Sequence, residues 1–144
     1  MAPNEKIIPN TYRLTVSESH LDDLGHMNHA IYLMLFEKAR AEMVTLNGYS
    51  YLLKIQETGI SPIYLEVNLK FRKELILGQA ILIETEVISY SKRIAVIAQY
   101  MKDAEGTLYC SAKFKFGLFD LKKRKLIAPT SEWIKALGLS PKDS

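Results

Sequence analysis

One uninterrupted helix-forming segment, residues 28–46, constrains this chain more than any other feature of its sequence. The segment NHAIYLMLFEKARAEMVTL contains no Gly or Pro and is rich in residues of high helix propensity, and Asn47-Gly48 after it is a typical helix stop. Asn28 is a good N-cap because its side-chain oxygen can accept an early helical N–H. The first half, 30–36, is apolar on nearly every face, and charged residues enter only from Glu37. We therefore expect one long helix, buried at its N-terminal end and emerging into solvent later.

Alternating and β-branched residues predict strands in most of the rest of the chain. The predicted strands are 12–16, 64–71, 80–88, 94–101 and 108–121. The segment 47–61 is predicted to be a loop, and 131–137 a short surface helix. A parallel βαβ arrangement needs more helices than this. We therefore predict an α+β fold in which an antiparallel five-stranded sheet wraps around one long central helix.

Bulk composition narrows the class of protein. A length of 144 residues, 48% of them hydrophobic, suits a single domain over 1–144. The net charge of +3 is too small to predict nucleic-acid binding. Cys110 is the single cysteine and cannot form an intrachain disulfide, which favours a reducing compartment. The three histidines and this cysteine show no metal-site spacing, so no metal is expected.

Two features of the sequence predict a cytoplasmic protein that does not span a membrane. Pro3, Pro9 and several charges interrupt the N-terminal segment, where a secretory signal would need a continuous apolar stretch. No later segment has the roughly 18 uninterrupted apolar residues that a transmembrane helix requires.

Polar residues gather just before the long helix, in the segment 20–29, HLDDLGHMNH. A helix N-terminus presents unpaired N–H groups and a partial positive charge, so it can stabilise negative charge that develops on a carbonyl oxygen. A carboxylate a few residues upstream can attack that carbonyl or activate water beside it. The sequence therefore points to carbonyl chemistry at this helix start.

The pattern His20-x-Asp22-x-x-Gly25-His26-Met27-Asn28-His29-Ala30-x-Tyr32, followed by Phe36-Glu37-x-Ala39-Arg40, resembles the signature of 4-hydroxybenzoyl-CoA-type hot-dog thioesterases. That signature runs roughly Asp-x-Asp-x-x-Gly-His-Val-Asn-Asn-Ala-x-Tyr and then Phe-Glu-x-Ala-Arg. The resemblance implies a hot-dog fold and a hydrolase that cleaves an acyl-CoA to the free acid and CoA.

The resemblance also implies roles for individual residues. Asp22 matches the catalytic carboxylate, acting as nucleophile or general base, and the N–H groups around His29 match the donors that polarise the carbonyl. Asp23 is adjacent to the matching position and is expected to be structural or solvated. The sequence departs from the family pattern at His20, where the first Asp is replaced, and at Gly78-Gln79, where the family often has Gly-Asp.

The coenzyme would be held by residues outside this segment. The resemblance places its phosphates on Ser91, Lys92 and Arg93, with the hydroxyl of Ser61 facing the ligand, and Lys and Arg side chains suit phosphate. Asn28 and Tyr32, at the start of the helix, complete the predicted substrate-binding residues. Tyr32, Met34 and Phe36 are expected first of all to be core residues. No separate cofactor is expected, because coenzyme A is part of the substrate.

The resemblance implies an active site between two subunits and hence a homodimer or homotetramer. Glu37 and Arg40 would form an exposed ion pair or pack across a subunit contact. Three alternatives to an acyl-CoA hydrolase stay open: an acyl-carrier-protein thioesterase that docks its carrier on 122–125, a non-catalytic acyl-binding hot-dog module, and a hot-dog dehydratase or hydratase. The acyl group is open, and apolar residues in 47–61 are expected to close its tunnel.

Overall fold

A computed structural model describes residues 10–140 of the chain. The first nine residues, which bear on the predicted lack of a secretory signal, lie outside the described residues. The elements within 10–140 are β1 (Asn10–Thr15), a 3-10 turn (Glu18–His20), α1 (His29–Leu46), α2 (Tyr51–Thr58), β2 (Ile60–Phe71), β3 (Ala80–Ser91), β4 (Ile94–Lys102), β5 (Leu108–Asp120), β6 (Lys125–Ile127) and α3 (Ser131–Ala136).

The strands form one antiparallel sheet with the order β1-β3-β4-β5-β2. The short strand β6 pairs with the end of β5, beyond the point where β4 stops. The predicted α+β architecture, a five-stranded antiparallel sheet with one long helix packed against it, is confirmed. The sequence prediction missed β6, because three residues are too few to show a strand pattern.

Helix α1 buries one face along its whole length. Its buried residues recur every three or four positions: Tyr32, Leu35, Phe36, Ala39, Arg40, Met43 and Val44. The prediction that the helix is buried at its N-terminal end and emerges into solvent later is wrong, because Leu33 and Met34 are 39% and 51% exposed, whereas Met43 and Val44 near the other end are buried. Met34 is therefore not a core residue of the single chain, whereas Tyr32 and Phe36 are. The sheet covers only one side of the helix, which leaves the opposite side open.

The predicted loop over 47–61 is wrong, because helix α2 occupies most of it and β2 begins at Ile60. The Ser50 hydroxyl accepts the backbone N–H of Leu53 at the start of α2. Gly59 ends the helix in the left-handed region, with a φ of 70° that favours glycine. Both signals are local, but the eight-residue helix between them is too short to stand out from the sequence.

Helix α3 forms where a short helix was predicted, but it is not a surface helix. Trp133, Ile134 and Ala136 are buried. The indole ring of Trp133 packs against the rings of Tyr49 and Phe116, 5.1 and 6.0 Å between centroids. The C-terminal helix therefore closes the core at the end of the sheet near α2.

A polar network crosses the core between α1 and the sheet. Arg40 is only 6% exposed, and its Nε and Nη1 atoms donate to the Tyr64 hydroxyl and to Gln99 Oε1, both at 2.8 Å. Gln99 is fully buried and donates in turn to the Phe36 carbonyl and to Thr85 Oγ1, both at 3.0 Å. The expected exposed ion pair between Glu37 and Arg40 does not form.

Within residues 10–140, no helix is both long and apolar enough to cross a membrane.

Candidate active site

The loop before α1 is folded into a tight turn by its own backbone. The N–H of Asp22 donates to the His26 carbonyl at 2.8 Å, and the N–H of Gly25 donates to the Asp22 carbonyl at 3.1 Å. Gly25 has a φ of 78°, which L side chains rarely adopt. The N–H of Met27 donates to the Leu75 carbonyl at 2.8 Å, which ties the turn to the segment that follows β2.

The Asp22 carboxylate is held by one of its oxygens. Asp22 is half-buried, and its Oδ1 accepts the backbone N–H groups of Leu24 at 2.8 Å and His26 at 3.4 Å. Its Oδ2 accepts no hydrogen bond from residues 10–140. The carboxylate thus has a fixed orientation and one oxygen available for chemistry.

The start of α1 leaves a backbone donor available beside this carboxylate. Asn28 caps the helix as predicted, because its Oδ1 accepts the N–H of Ala30 at 2.9 Å. Its carbonyl accepts the N–H of Ile31, also at 2.9 Å. The backbone N–H of His29, the first residue of the helix, donates to no acceptor in the described part of the chain. This N–H can therefore bind an external oxygen.

Asp22, His29 and Tyr32 line one cleft of about 360 Å³. Its other lining residues are His26, Met27, Phe71, Arg72, Lys73 and Glu74. The last four were not predicted from the sequence, since no local pattern shows that the end of β2 returns to the start of α1. Glu74 brings a second carboxylate, whose Oε2 lies 3.6 Å from Nε2 of His26.

Tyr32 forms part of the wall of this cleft. Its side chain is 4% exposed, and its ring packs edge-on against Phe71 with 5.1 Å between centroids. Burial raises the pKa of Tyr32, and the thiol of Cys110 and the carboxylates of Asp22 and Glu74 raise it further. The hydroxyl is therefore protonated at neutral pH.

Ser61 lies at the other end of β2 from this cleft. It lines a separate cavity of about 210 Å³ with Arg40, Tyr51 and Tyr64, and its hydroxyl donates to the Pro62 carbonyl at 3.2 Å. An extended strand rises about 3.3 Å per residue, which places Ser61 roughly 30 Å from the Phe71 end of the strand.

The predicted phosphate-binding residues Ser91, Lys92 and Arg93 form the tight turn between β3 and β4. A Cβ atom on Gly117 would clash with the Arg93 carbonyl oxygen, so β5 needs a glycine where the turn packs against it. Gly117 pairs with Ile63, which places the turn at the Ser61 end of the sheet. In one chain, the predicted site residues thus form two groups at opposite ends of β2.

Comparison with known proteins identifies the family. Residues 16–137 match the family model described as the thioesterase-like superfamily. The chain belongs to this superfamily. Membership supports thioester hydrolysis as the general reaction and the hot-dog fold as the architecture, as the motif at the start of α1 predicted.

Several solved structures share this fold. A Staphylococcus aureus protein solved in complex with CoA is 18% identical, with a TM-score of 0.84 over 94% of this chain and 85% of that one. A 1,4-dihydroxy-2-naphthoyl-CoA thioesterase from Synechocystis is 17% identical, with a TM-score of 0.82 over 89% of this chain and 94% of that one. A DHNA-CoA thioesterase from Staphylococcus aureus is 20% identical, with a TM-score of 0.78 over 90% of this chain and 88% of that one. A comparison with curated proteins gave no significant match.

Proposed function

We propose that this protein hydrolyses the thioester of an acyl-CoA to the free acid and coenzyme A, with Asp22 as the catalytic carboxylate. One observation carries the proposal. Asp22 Oδ1 is held by two backbone N–H groups, and within residues 10–140 Oδ2 accepts no hydrogen bond. Asp22 lines the same cleft as His29, whose backbone N–H has no acceptor in the described part of the chain. The CoA-bound structural neighbour and the superfamily match support this substrate class.

The reaction follows from the two groups that face the cleft. The thioester carbonyl oxygen binds the N–H of His29, which stabilises the negative charge that develops on it. Asp22 then attacks the carbonyl carbon, the coenzyme thiolate leaves, and water cleaves the mixed anhydride. Alternatively, Asp22 takes a proton from water as the water attacks, and the same thiolate leaves. A thiolate is a good leaving group, so neither route needs a strong general acid or a cofactor.

The complete site requires a second copy of the chain. The outer edge of β2 has no partner strand within residues 10–140. Antiparallel pairing of two such edges would bring the Ile60 end of one β2 against the Phe71 end of the other. Ser61, Ser91, Lys92 and Arg93 of one subunit would then approach the cleft that holds Asp22 of the other. We therefore propose a homodimer, alone or within a homotetramer, acting in the cytoplasm.

Exposed apolar side chains support pairing along this edge. They lie on the open flank of α1 and on β2: Leu33, Met34, Leu65, Val67 and Phe71. A long apolar edge strand is unfavourable in a monomer, because its unpaired backbone groups and side chains invite association.

The Asp22→Asn variant tests the catalytic assignment. An asparagine keeps an oxygen that can accept from Leu24 and His26, so the turn persists while the negative charge is lost. We expect thiol release from a panel of acyl-CoAs to fall by about a hundredfold or more, the usual contribution of such a group. The matched control is Asp23→Asn, which changes an exposed neighbour and leaves the rate unaltered.

The panel spans fatty acyl chains of increasing length together with benzoyl and phenylacetyl esters. Full activity in Asp22→Asn would contradict the assignment of Asp22. Tight binding of an acyl-CoA to the wild type without thiol release would instead identify a non-catalytic acyl-binding module.

A further inference from the structure

A second and larger concavity, of about 480 Å³, lies on the outer face of the sheet across β2, β4 and β5. Apart from the buried Ala112, its lining side chains lie on the face of the sheet opposite the core. On β5, exposed Lys113 and Lys115 line it, and they alternate with Phe114 and Phe116, which are buried against the helix. The groove is therefore separate from the core and from the cavity beside Ser61. We call it the outer groove.

The outer groove concentrates positive charge. Four cations line it, Lys70, Arg72, Lys113 and Lys115, against one carboxylate, Glu66. Glu66 already pairs with Lys115, with 3.3 Å between Oε2 and Nζ. The other three cations form no ion pair within residues 10–140. Like charges held this close repel one another, and an anion would relieve that repulsion.

Sheet register brings these cations beside donors and an aromatic ring. Lys70 lies opposite Ser111, which lies opposite Tyr100 on the next strand. Lys113 lies opposite Asn68. Tyr100 is half-buried, so its ring provides an apolar surface next to exposed cationic side chains. An aromatic surface suits a nucleic-acid base by stacking, and Lys and Arg suit phosphate.

The outer groove adjoins the Asp22 cleft. Arg72 follows the last residue of β2 and lines both concavities. A volume of about 480 Å³ falls within the range of small-molecule sites rather than that of a flat protein-docking face. The occupant favoured by these features is a small phosphorylated molecule that carries a ring.

We propose that the outer groove binds a phosphate-bearing nucleotide, with its phosphates on Lys70, Arg72 and Lys113. Two sources can supply this chemistry. One is the nucleotide end of the coenzyme whose acyl end lies in the Asp22 cleft of the same chain, which rests on the proposed function. The other is a free nucleotide that binds as an effector, independently of it.

Titration calorimetry with adenosine 3′,5′-bisphosphate tests the site without reference to activity. We expect saturable binding at one equivalent per chain, weakened by added salt because the contacts are ionic. The Lys70→Ala/Lys113→Ala double variant removes two charged donors and should weaken binding by about tenfold or more. Lys122→Ala/Lys123→Ala removes the same charge from an exposed turn and serves as the matched control, with unchanged affinity.

Kinetics then separate the two sources. If the groove holds the substrate's own nucleotide, the double variant raises KM for an acyl-CoA but not for the corresponding acyl-pantetheine, which lacks the nucleotide. If the groove holds an effector, the variant leaves KM for the acyl-CoA unchanged, and added bisphosphate alters the rate of the wild type only.

Two results would overturn the outer groove as a nucleotide site. The first is no binding of the bisphosphate by the wild-type protein. The second is equal affinity in the Lys70→Ala/Lys113→Ala variant with loss of binding in Lys92→Ala/Arg93→Ala, which would place the phosphates on the β3–β4 turn. Neither result bears on whether Asp22 hydrolyses a thioester, so the two proposals fail separately.

Discussion

Gln99 supplies the side-chain oxygen that accepts a hydrogen bond from the buried guanidinium of Arg40. The guanidinium has no carboxylate partner in the described residues and lies 4.5 and 4.1 Å from the ring centroids of Tyr64 and Phe114. Two aromatic faces, one amide oxygen and one phenol hydroxyl thus replace a counter-ion around a cation that is only 6% exposed. Such an arrangement tolerates the charge only while every acceptor is present.

Replacement of Gln99 by leucine is expected to lower the free energy of unfolding by about 3 kcal/mol, because it removes one of the two acceptors of a buried cation. Urea denaturation measures the change. Gln56→Leu, on the exposed side of α2, is the matched control and should shift stability by less than about 0.5 kcal/mol. Similar values for the two variants would show that the network does not stabilise the fold.

Cys110 is expected to be chemically inert in the folded protein. It is fully buried, and burial raises its pKa to about 12, although the nearby Arg72 acts in the opposite direction. The thiolate is the reactive form, so iodoacetamide at pH 8 should leave the native protein unmodified and label it fully in urea. Mass spectrometry reads out the result. Rapid labelling of the native protein would contradict the burial of this side chain.

At the scale of the element, the N-cap of α1 serves both stability and the candidate site. Asn28→Ala removes the acceptor for the Ala30 N–H and is expected to cost about 1 kcal/mol in unfolding free energy. The first helical turn also carries the His29 N–H, so kcat should fall beyond what the loss of folded protein explains. Asn28→Asp keeps an acceptor and should retain stability. An unchanged kcat in Asn28→Ala would show that the N-cap does not contribute to catalysis.

The turn between β4 and β5 is built around the carboxylate of Asp103. Desolvation acts to raise its pKa, but the N–H groups of Thr107 and Glu105 and the hydroxyl of Tyr109 outweigh it and hold the pKa below its ordinary 3.8. The donor distances lie between 2.9 and 3.0 Å. A depressed pKa in the folded state means that the ionised carboxylate stabilises the fold.

This stabilisation is present above the ordinary pKa and is lost as pH falls through the lower pKa of the folded state. We expect the thermal midpoint of the wild type to exceed that of Asp103→Asn at neutral pH. The gap should narrow as the solution is acidified below 3.8. Thermal denaturation followed by circular dichroism at several pH values measures it. A difference in thermal midpoint that stays constant with pH would contradict the stabilising role of the ionised Asp103 carboxylate.

At the scale of the whole molecule, assembly decides whether the two groups of site residues meet. Val67 is 44% exposed on the edge strand β2. Lysine is a residue that natural edge strands use to prevent pairing, so Val67→Lys should give a monomer with little thioesterase activity and a normal circular dichroism spectrum. Sedimentation velocity and thiol release test this.

Ile88→Lys is the matched control for assembly. Ile88 is 49% exposed on β3, away from the β2 edge, so the substitution should leave both assembly and activity intact. A monomeric, fully active wild-type protein would contradict the shared site.

Local signals made the main elements predictable. The long helix, its Asn28 cap and the five main strands were readable because helix propensity, alternation and capping act within a few residues of each position. Helix α2 was missed although Ser50 and Gly59 mark its ends, because its eight residues are too few to show a clear helical pattern. The exposure of Met34 was missed because it depends on what the sheet leaves uncovered.

The sequence alone determined the thioesterase-like superfamily, the order of the long helix and the five main strands, and the position of Asp22 just before a capped helix, since each of these follows from a contiguous pattern. Only the tertiary structure decided that Arg40 bonds with Gln99, that Arg72 lines two concavities, and that Ser61 lies a whole strand away from Asp22. Those relations depend on strand register between residues far apart in the chain, and a change of register by one residue would turn every side chain of a strand to the other face.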